Sequence, residues 1–234
     1  MPKTILVTGG SKGIGKAILL KFAASGYDGF TCARKMQDLV RLKEEIEGNF
    51  SGRKLFIKEA DLSKKEEVQE FAAFVREHTT PEVIVHNAGD FIPGSIHSEP
   101  EGNFEHMMHT NLHSAYYLTR EFSEAFIQRK SGHIFTIGSI AALGAYPNGG
   151  SYAISKWALR GFTQCLRQEM TEYGVKVTSI LAGATWTASW EGIDLPEERF
   201  MKAEDIADAV WAAHALSPNA VAEEIVVRPQ LGDI

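Results

Sequence analysis

Only two cysteines, Cys32 and Cys165, occur in 234 residues. They show neither metal-ligand spacing nor a second pair for a disulfide framework, and read as small buried or half-buried residues of a reducing compartment. No apolar run reaches the roughly 20 residues that a membrane span needs. Basic residues are outnumbered, 24 Lys and Arg against 30 Asp and Glu for a net charge of −6. That balance excludes a general nucleic-acid surface, because phosphate binding needs clustered positive charge. The start, Met1-Pro2-Lys3-Thr4-Ile5-Leu6-Val7, lacks the apolar run and cleavage site of a secretory signal. A cytoplasmic location and a small-molecule partner are therefore expected. Internal repeats, low-complexity tracts and interdomain linkers are also missing.

What is present is an alternation of apolar β-rich runs with helical patterns along the whole length, the mark of a parallel sheet with helices on both faces. Strands are predicted at about 3–8, 29–33, 53–58, 82–86, 132–138, 175–181 and 223–227. Helices are predicted at about 13–25, 36–48, 64–78, 103–129, 151–173 and 203–217. The fold class is α/β: one Rossmann-like, doubly wound domain over 1–234, with about seven parallel strands. The only long irregular stretch, 182–202, follows the sixth strand. Ligands in such sheets bind beyond the carboxyl ends of strands, so this stretch is the expected substrate lid.

Between the first strand and first helix lies Thr8-Gly9-Gly10-Ser11-Lys12-Gly13-Ile14-Gly15. Glycines here permit a tight turn, and the following helix offers unpaired N–H groups to phosphate oxygens. Gly9, Ser11, Lys12, Gly13, Ile14 and Gly15 are the candidate nucleotide contacts. At the end of the second strand, Thr31-Cys32-Ala33-Arg34-Lys35 lacks the acid that accepts from a ribose hydroxyl in NAD sites. Arg34 instead matches a 2′-phosphate with its guanidinium fork, and Lys12 adds a second positive charge. NADP(H) is expected in preference to NAD(H). The bland alternative makes Arg34 and Lys35 solvated charges at a helix start.

Tyr152 and Lys156 stand four residues apart, on one face of a predicted helix. A phenol with an unperturbed pKa of about 10 is a poor acid–base group near neutrality, and a neighbouring ammonium is expected to lower it. The pair alone is weak evidence, since tyrosine and lysine meet on helix faces by chance.

In order and together, these residues resemble the short-chain dehydrogenase/reductase superfamily, in its single-domain Tyr-x-x-x-Lys branch. The family's glycine turn matches Thr8 through Gly15, its Asn-Ala-Gly matches Asn87-Ala88-Gly89, and its adenine-side aspartate matches Asp61, followed by Leu62. Its helix asparagine falls at Asn111, its active-site serine at Ser139 and its acid–base pair at Tyr152 and Lys156. The resemblance implies that Tyr152 is the general acid or base and that Ser139 stabilises charge on the carbonyl oxygen. It further implies that Lys156 binds the nicotinamide ribose, and that Asn111 interrupts its helix and holds a proton-relay water. Ser139 as a mere strand end and Asn111 as a polar helix residue are the bland alternatives. Where relatives have Pro-Gly after strand six, this chain has Ala182-Gly183, which leaves the turn less restricted. Thr187 keeps the spacing of the threonine that contacts the carboxamide, with the backbone near Thr185 beside it.

Phe91, Ile92, Ala141, Leu143 and Tyr146, with the lid residues Trp186 and Trp190, suggest an apolar substrate wall. One of the tryptophans packing in the core is an open alternative. A pocket with few obvious charges disfavours highly anionic substrates and leaves ketone, aldehyde, quinone and pterin. His106, His109 and His113 share a predicted helix face, but no further ligand completes a metal set, so no metal is expected. The long helices 103–129 and 151–173 resemble those that pair across a two-fold axis in the family. The ending Val226-Val227-Arg228-Pro229-Gln230 resembles a tail that contacts a neighbour, so a homodimer or homotetramer is expected. An oxidoreductase acting on CH–OH or C=O groups is the leading reading. The rivals are a catalytically silent NADP(H)-binding regulator of the same fold and a sugar-nucleotide epimerase or dehydratase.

Overall fold

The computed structural model describes residues 3–187, 190 and 194–234. Within the expected lid, Ala188, Ser189 and 191–193 lie outside the described residues. The chain runs β1 (Lys3–Thr8), α1 (Gly13–Ala24), β2 (Tyr27–Ala33), α2 (Met36–Asn49), β3 (Leu55–Glu59), α3 (Lys65–Arg76) and β4 (Val83–His86). It continues α4 (Asn103–Met108), α5 (Ser114–Arg129), β5 (His133–Ser139), α6 (Gly150–Met170), β6 (Lys176–Ala182), α7 (Ala203–His214) and β7 (Glu224–Val227). All seven strands are parallel, in the order β3-β2-β1-β4-β5-β6-β7. This is the Rossmann-like α/β sheet expected from the alternation. The order reverses between β1 and β4, which opens a crevice at their carboxyl ends.

Strand β1 shows how the sequence builds two cores. Alternate side chains of a strand point to opposite faces. Ile5 and Val7 accordingly join Phe22, Tyr27 and Val210 under α1 and α7. Leu6 joins Phe30, Phe71, Phe122 and Phe126 under α3 and α5. The predicted helix at 103–129 is not continuous. A π-helical turn at His109–His113 separates α4 from α5, with Asn111 buried inside it. No helix among the described residues is long and apolar enough to cross a membrane.

His86 and His133 are buried in the sheet and His214 is half-buried beside it, and none of the three pairs with an acid among the described residues. His86 Nε2 meets Thr119 Oγ1 at 2.8 Å, His133 Nε2 meets Thr178 Oγ1 at 2.9 Å, and His214 Nε2 meets the Tyr27 hydroxyl at 2.8 Å. The Nδ1 atom of each has no hydrogen-bond partner among the described residues. Burial disfavours the imidazolium and pushes them from 6.5 down to about 3, about 2 and about 4 respectively. The unfolded chain therefore binds more protons than the folded one as pH falls below about 6.5. Stability should be full above that pH and decline below it, by up to about 1.4 kcal/mol per pH unit for each histidine. Urea midpoints that stay level between pH 7.5 and pH 5 would contradict this account.

Candidate functional site

The crevice deepens into a cavity of about 1020 Å³ that runs from the carboxyl end of β2 across β1 and β4 to the ends of β5 and β6. Its floor is organised by Thr8. The Thr8 hydroxyl accepts from the backbone N–H of Asn87 and of Ala88, both at 3.0 Å. In return, Asn87 Nδ2 donates to the carbonyls of Thr8 at 2.9 Å and Gly9 at 3.1 Å. The β1 and β4 ends are thus locked together. Gly9 turns the chain at φ +65°, a conformation that suits glycine. Gly15 packs flat on the same knot: a Cβ there would stand 2.5 Å from Asn87 Nδ2 and 2.7 Å from the Gly9 carbonyl oxygen. Gly15 accordingly shapes the turn from behind, whereas Gly9, Ser11, Lys12, Gly13 and Ile14 line the cavity itself.

At the β2 end the cavity is lined by Arg34, Asp61, Leu62 and the Asn87-Ala88-Gly89 segment. Burial alone would raise the Asp61 carboxyl, but hydrogen bonds from Ser63 and the nearby charges of Lys64 and Arg34 hold it below the usual range. The two cations expected to meet a 2′-phosphate both have carboxylate partners. Lys12 Nζ lies 3.1 Å from Asp38. Arg34 presents Nη1 and Nη2 to the two oxygens of Asp90, each at 3.2 Å. Asp90 also meets His106 Nε2 at 2.9 Å. Instead of sharing one face with His109 and His113, His106 turns to Asp90, while His109 and His113 pack ring to ring at 4.9 Å.

At the other end, Ser139 closes β5, and Tyr152 and Lys156 lie one turn apart in the first half of α6. All three line the cavity. Lys156 donates to the Ile137 carbonyl at 3.1 Å, and its Nζ stands 5.7 Å from the centre of the Tyr152 ring. The expected depression of the phenol does not occur. Burial pushes Tyr152 up to about 12, against a smaller opposing pull from the Ser139 hydroxyl. Burial also pushes the Lys156 ammonium down to about 8. Both groups are held in their neutral direction because the surrounding protein disfavours charge more than the pair favours it.

Asn111 does not line the cavity. Its Oδ1 accepts from the Asp90 N–H at 2.8 Å, and its Nδ2 donates to the Asp90 carbonyl at 3.1 Å and to Ser155 Oγ at 2.8 Å. The Asn111 side chain is thus committed to protein groups, and it fastens the Gly89-Asp90 segment to α6.

The substrate end has an aromatic wall. The Phe91 ring meets Tyr152 edge-on, 4.7 Å between centres at 77°, and Trp190 lies 6.3 Å beyond. Ala141, Leu143 and Tyr146 complete it, whereas Ile92 stays off the cavity. Trp186 departs from expectation: it packs on Phe200 at 4.9 Å, away from the cavity. The cause is extended geometry. Thr185 bridges to Met201 and Trp186 N–H donates to the Met201 carbonyl at 2.8 Å. In such a segment Thr185 and Thr187 face one side and Trp186 the other. Sequence reasoning missed Asp90, although it directly follows Asn87-Ala88-Gly89. It also missed the Arg228–Asp233 ion pair on the cavity lining, so this end is less free of charge than expected.

The comparisons agree with this architecture. A sepiapterin reductase of Chlorobaculum tepidum is 32% identical over 243 residues, covering 100% of this chain and 99% of the relative. An NADP-dependent 3-hydroxy acid dehydrogenase of Escherichia coli K12 is 28% identical over 238 residues, covering 96% and 94%. An alcohol dehydrogenase of the archaeon Thermococcus sibiricus, solved in complex with 5-hydroxy-NADP, superposes with a TM-score of 0.91 at 27% identity over 99% and 98% of the two chains. The family model described as short chain dehydrogenase matches residues 3–198. This chain belongs to the short-chain dehydrogenase family.

Proposed function

We propose that the chain is an NADP(H)-dependent oxidoreductase that interconverts a carbonyl and an alcohol. The observation that carries this reading is the sharing of one cavity by the glycine turn and Arg34 at one end and by Ser139, Tyr152 and Lys156 at the other. The residues fit such a cofactor. Gly9 and Gly13 bring bare backbone to the cavity, Thr187 Cγ2 lies only 3.0 Å from where a Cβ of Gly13 would be, and Arg34 offers a guanidinium. The NADP complex of the archaeal relative supports the same choice. In this reading the 2′-phosphate meets Arg34 and Lys12, the adenine lies by Asp61 and Leu62, and Thr185 and Thr187 face the nicotinamide.

Bound NADP(H) supplies the hydride for reduction, or accepts it in oxidation. Tyr152 gives its proton to the carbonyl oxygen as negative charge develops there, and in oxidation takes it back. The Ser139 hydroxyl donates to that same oxygen. The Lys156 ammonium stabilises the phenolate left by proton transfer. Asn111 acts as a positioning residue through Asp90 and Ser155. Phe91, Trp190, Leu143 and Tyr146 exclude water and seat an apolar carbonyl substrate.

NADPH oxidation over a panel of ketones, aldehydes, diketones and pterins tests this reading. Turnover of at least one class is expected; tight dinucleotide binding with no turnover across the panel would favour a regulator. Replacing Arg34 with Ala should raise KM for NADPH by about tenfold or more, since a charge-assisted phosphate contact contributes roughly 1.5–3 kcal/mol. KM for NADH should rise less. Equal changes in the two would defeat the phosphate assignment.

A further inference from the structure

The ion pair between Arg34 and Asp90 joins the two sides of the cleft. Arg34 follows β2 and Asp90 follows β4, and these strands flank β1 on opposite sides. Neighbouring strands lie about 4.8 Å apart, so the two strand ends are separated by roughly 10 Å. The pair therefore crosses the carboxyl end of β1, where the Gly9–Gly15 turn begins, and both of its members line the same cavity as Gly9 and Asp61.

The two ends of this bridge differ. Asp90 is fixed: its backbone N–H and carbonyl are both held by Asn111, its carboxylate also meets His106, and its side chain is 23% exposed. Arg34 is a long arm, 61% exposed, whose Nη1 and Nη2 engage both oxygens of Asp90. Its Nε–H has no partner among the described residues, which leaves one edge of the guanidinium open to an anion. A two-pronged contact fixes a guanidinium in orientation as well as in position.

We infer that Arg34 and Asp90 form a strap across the nucleotide cleft, with Asp90 as a positioning residue that holds the guanidinium over the adenosine half of the cofactor and slows release of the dinucleotide. This rests on the reading of the cleft as an NADP(H) site. A strap and a phosphate contact have different signatures. A phosphate contact retains NADPH alone, whereas a strap retains NADH as well, because it closes over parts that both dinucleotides share.

The test is stopped-flow release of NADPH and of NADH, followed by nicotinamide fluorescence during displacement by excess NADP⁺. Asp90→Asn preserves side-chain size and the backbone bonds to Asn111 while removing the charge. It should accelerate release of both dinucleotides by about fivefold, the equivalent of roughly 1 kcal/mol. Arg34→Ala should release NADH as fast as Asp90→Asn does, and NADPH faster still. The double variant should release NADH no faster than Arg34→Ala alone, which a general loosening of the fold would not reproduce. Unchanged release in Asp90→Asn, acceleration confined to NADPH, slower release of NADPH, or additive effects in the double variant would each overturn the strap. If the unaltered chain binds neither dinucleotide, the cofactor reading falls and the strap falls with it.

Discussion

Replacing Tyr152 with Phe is expected to reduce turnover by roughly 10²- to 10⁴-fold, the range that a positioned general acid contributes. KM for the dinucleotide should change far less. The substitution removes one oxygen and keeps the ring that meets Phe91 edge-on at 4.7 Å, so the wall of the cavity survives. The pH profile should separate Tyr152 from Lys156. Burial holds the phenol up at about 12, so in the free protein it stays protonated throughout the neutral and mildly alkaline range. Lys156 is held down at about 8, and its ammonium loses its proton as pH rises through that value. The counter-charge for the phenolate is then lost, so kcat/KM for reduction should fall above about pH 8. Lys156→Met should be slow at every pH and lack this limb. Activity of Tyr152→Phe within tenfold of the unaltered chain would remove Tyr152 from its role.

The second large effect is expected at Gly15, where Ala should weaken dinucleotide binding by at least about tenfold and destabilise the fold by about 1–3 kcal/mol. The added methyl has no space to enter, since the Asn87 amide and the Gly9 carbonyl lie at 2.5 and 2.7 Å. Neither neighbour can yield without breaking the bonds that tie Asn87 to Thr8 and Gly9, so the whole turn must shift. Gly161→Ala is the control. It also adds a methyl to a helix, but nothing lies within 4 Å of that position, and relief of the glycine penalty should leave stability equal or slightly higher. Thermal unfolding with and without NADP⁺ would compare the two. A Gly15→Ala variant as stable and as tightly bound as Gly161→Ala would show that the knot tolerates displacement.

The parts of this site that were legible in the sequence are those set by local spacing. Thr8 to Gly15 is a continuous segment, Tyr152 and Lys156 are one helical turn apart, and the unbroken apolar run Ile5-Leu6-Val7 announces a strand buried on both faces. What was not legible depends on parts of the chain far apart in sequence. Arg34 and Asp90 are 56 residues apart and meet only because β2 and β4 flank β1. The orientation of Trp186 follows from the bridge of Thr185 to Met201. The direction of the Tyr152 shift was not legible either, because a neighbouring ammonium can be read from spacing, whereas desolvation depends on how much protein from other elements closes around the phenol.

The wide turn at His109–His113 has a geometric consequence for the rod that contains it. Each residue of an α-helix advances the side-chain direction by about 100°, so one extra residue in a single turn re-aims everything before it relative to everything after it. Beyond the turn, α5 commits Leu118, Phe122 and Phe126 to the interior beneath α3. Before it, α4 packs against α6 and directs His106 to Asp90. A uniform helix would carry one hydrophobic stripe along its whole length. By slipping phase at Asn111, this segment is both a buried beam and one jamb of the doorway.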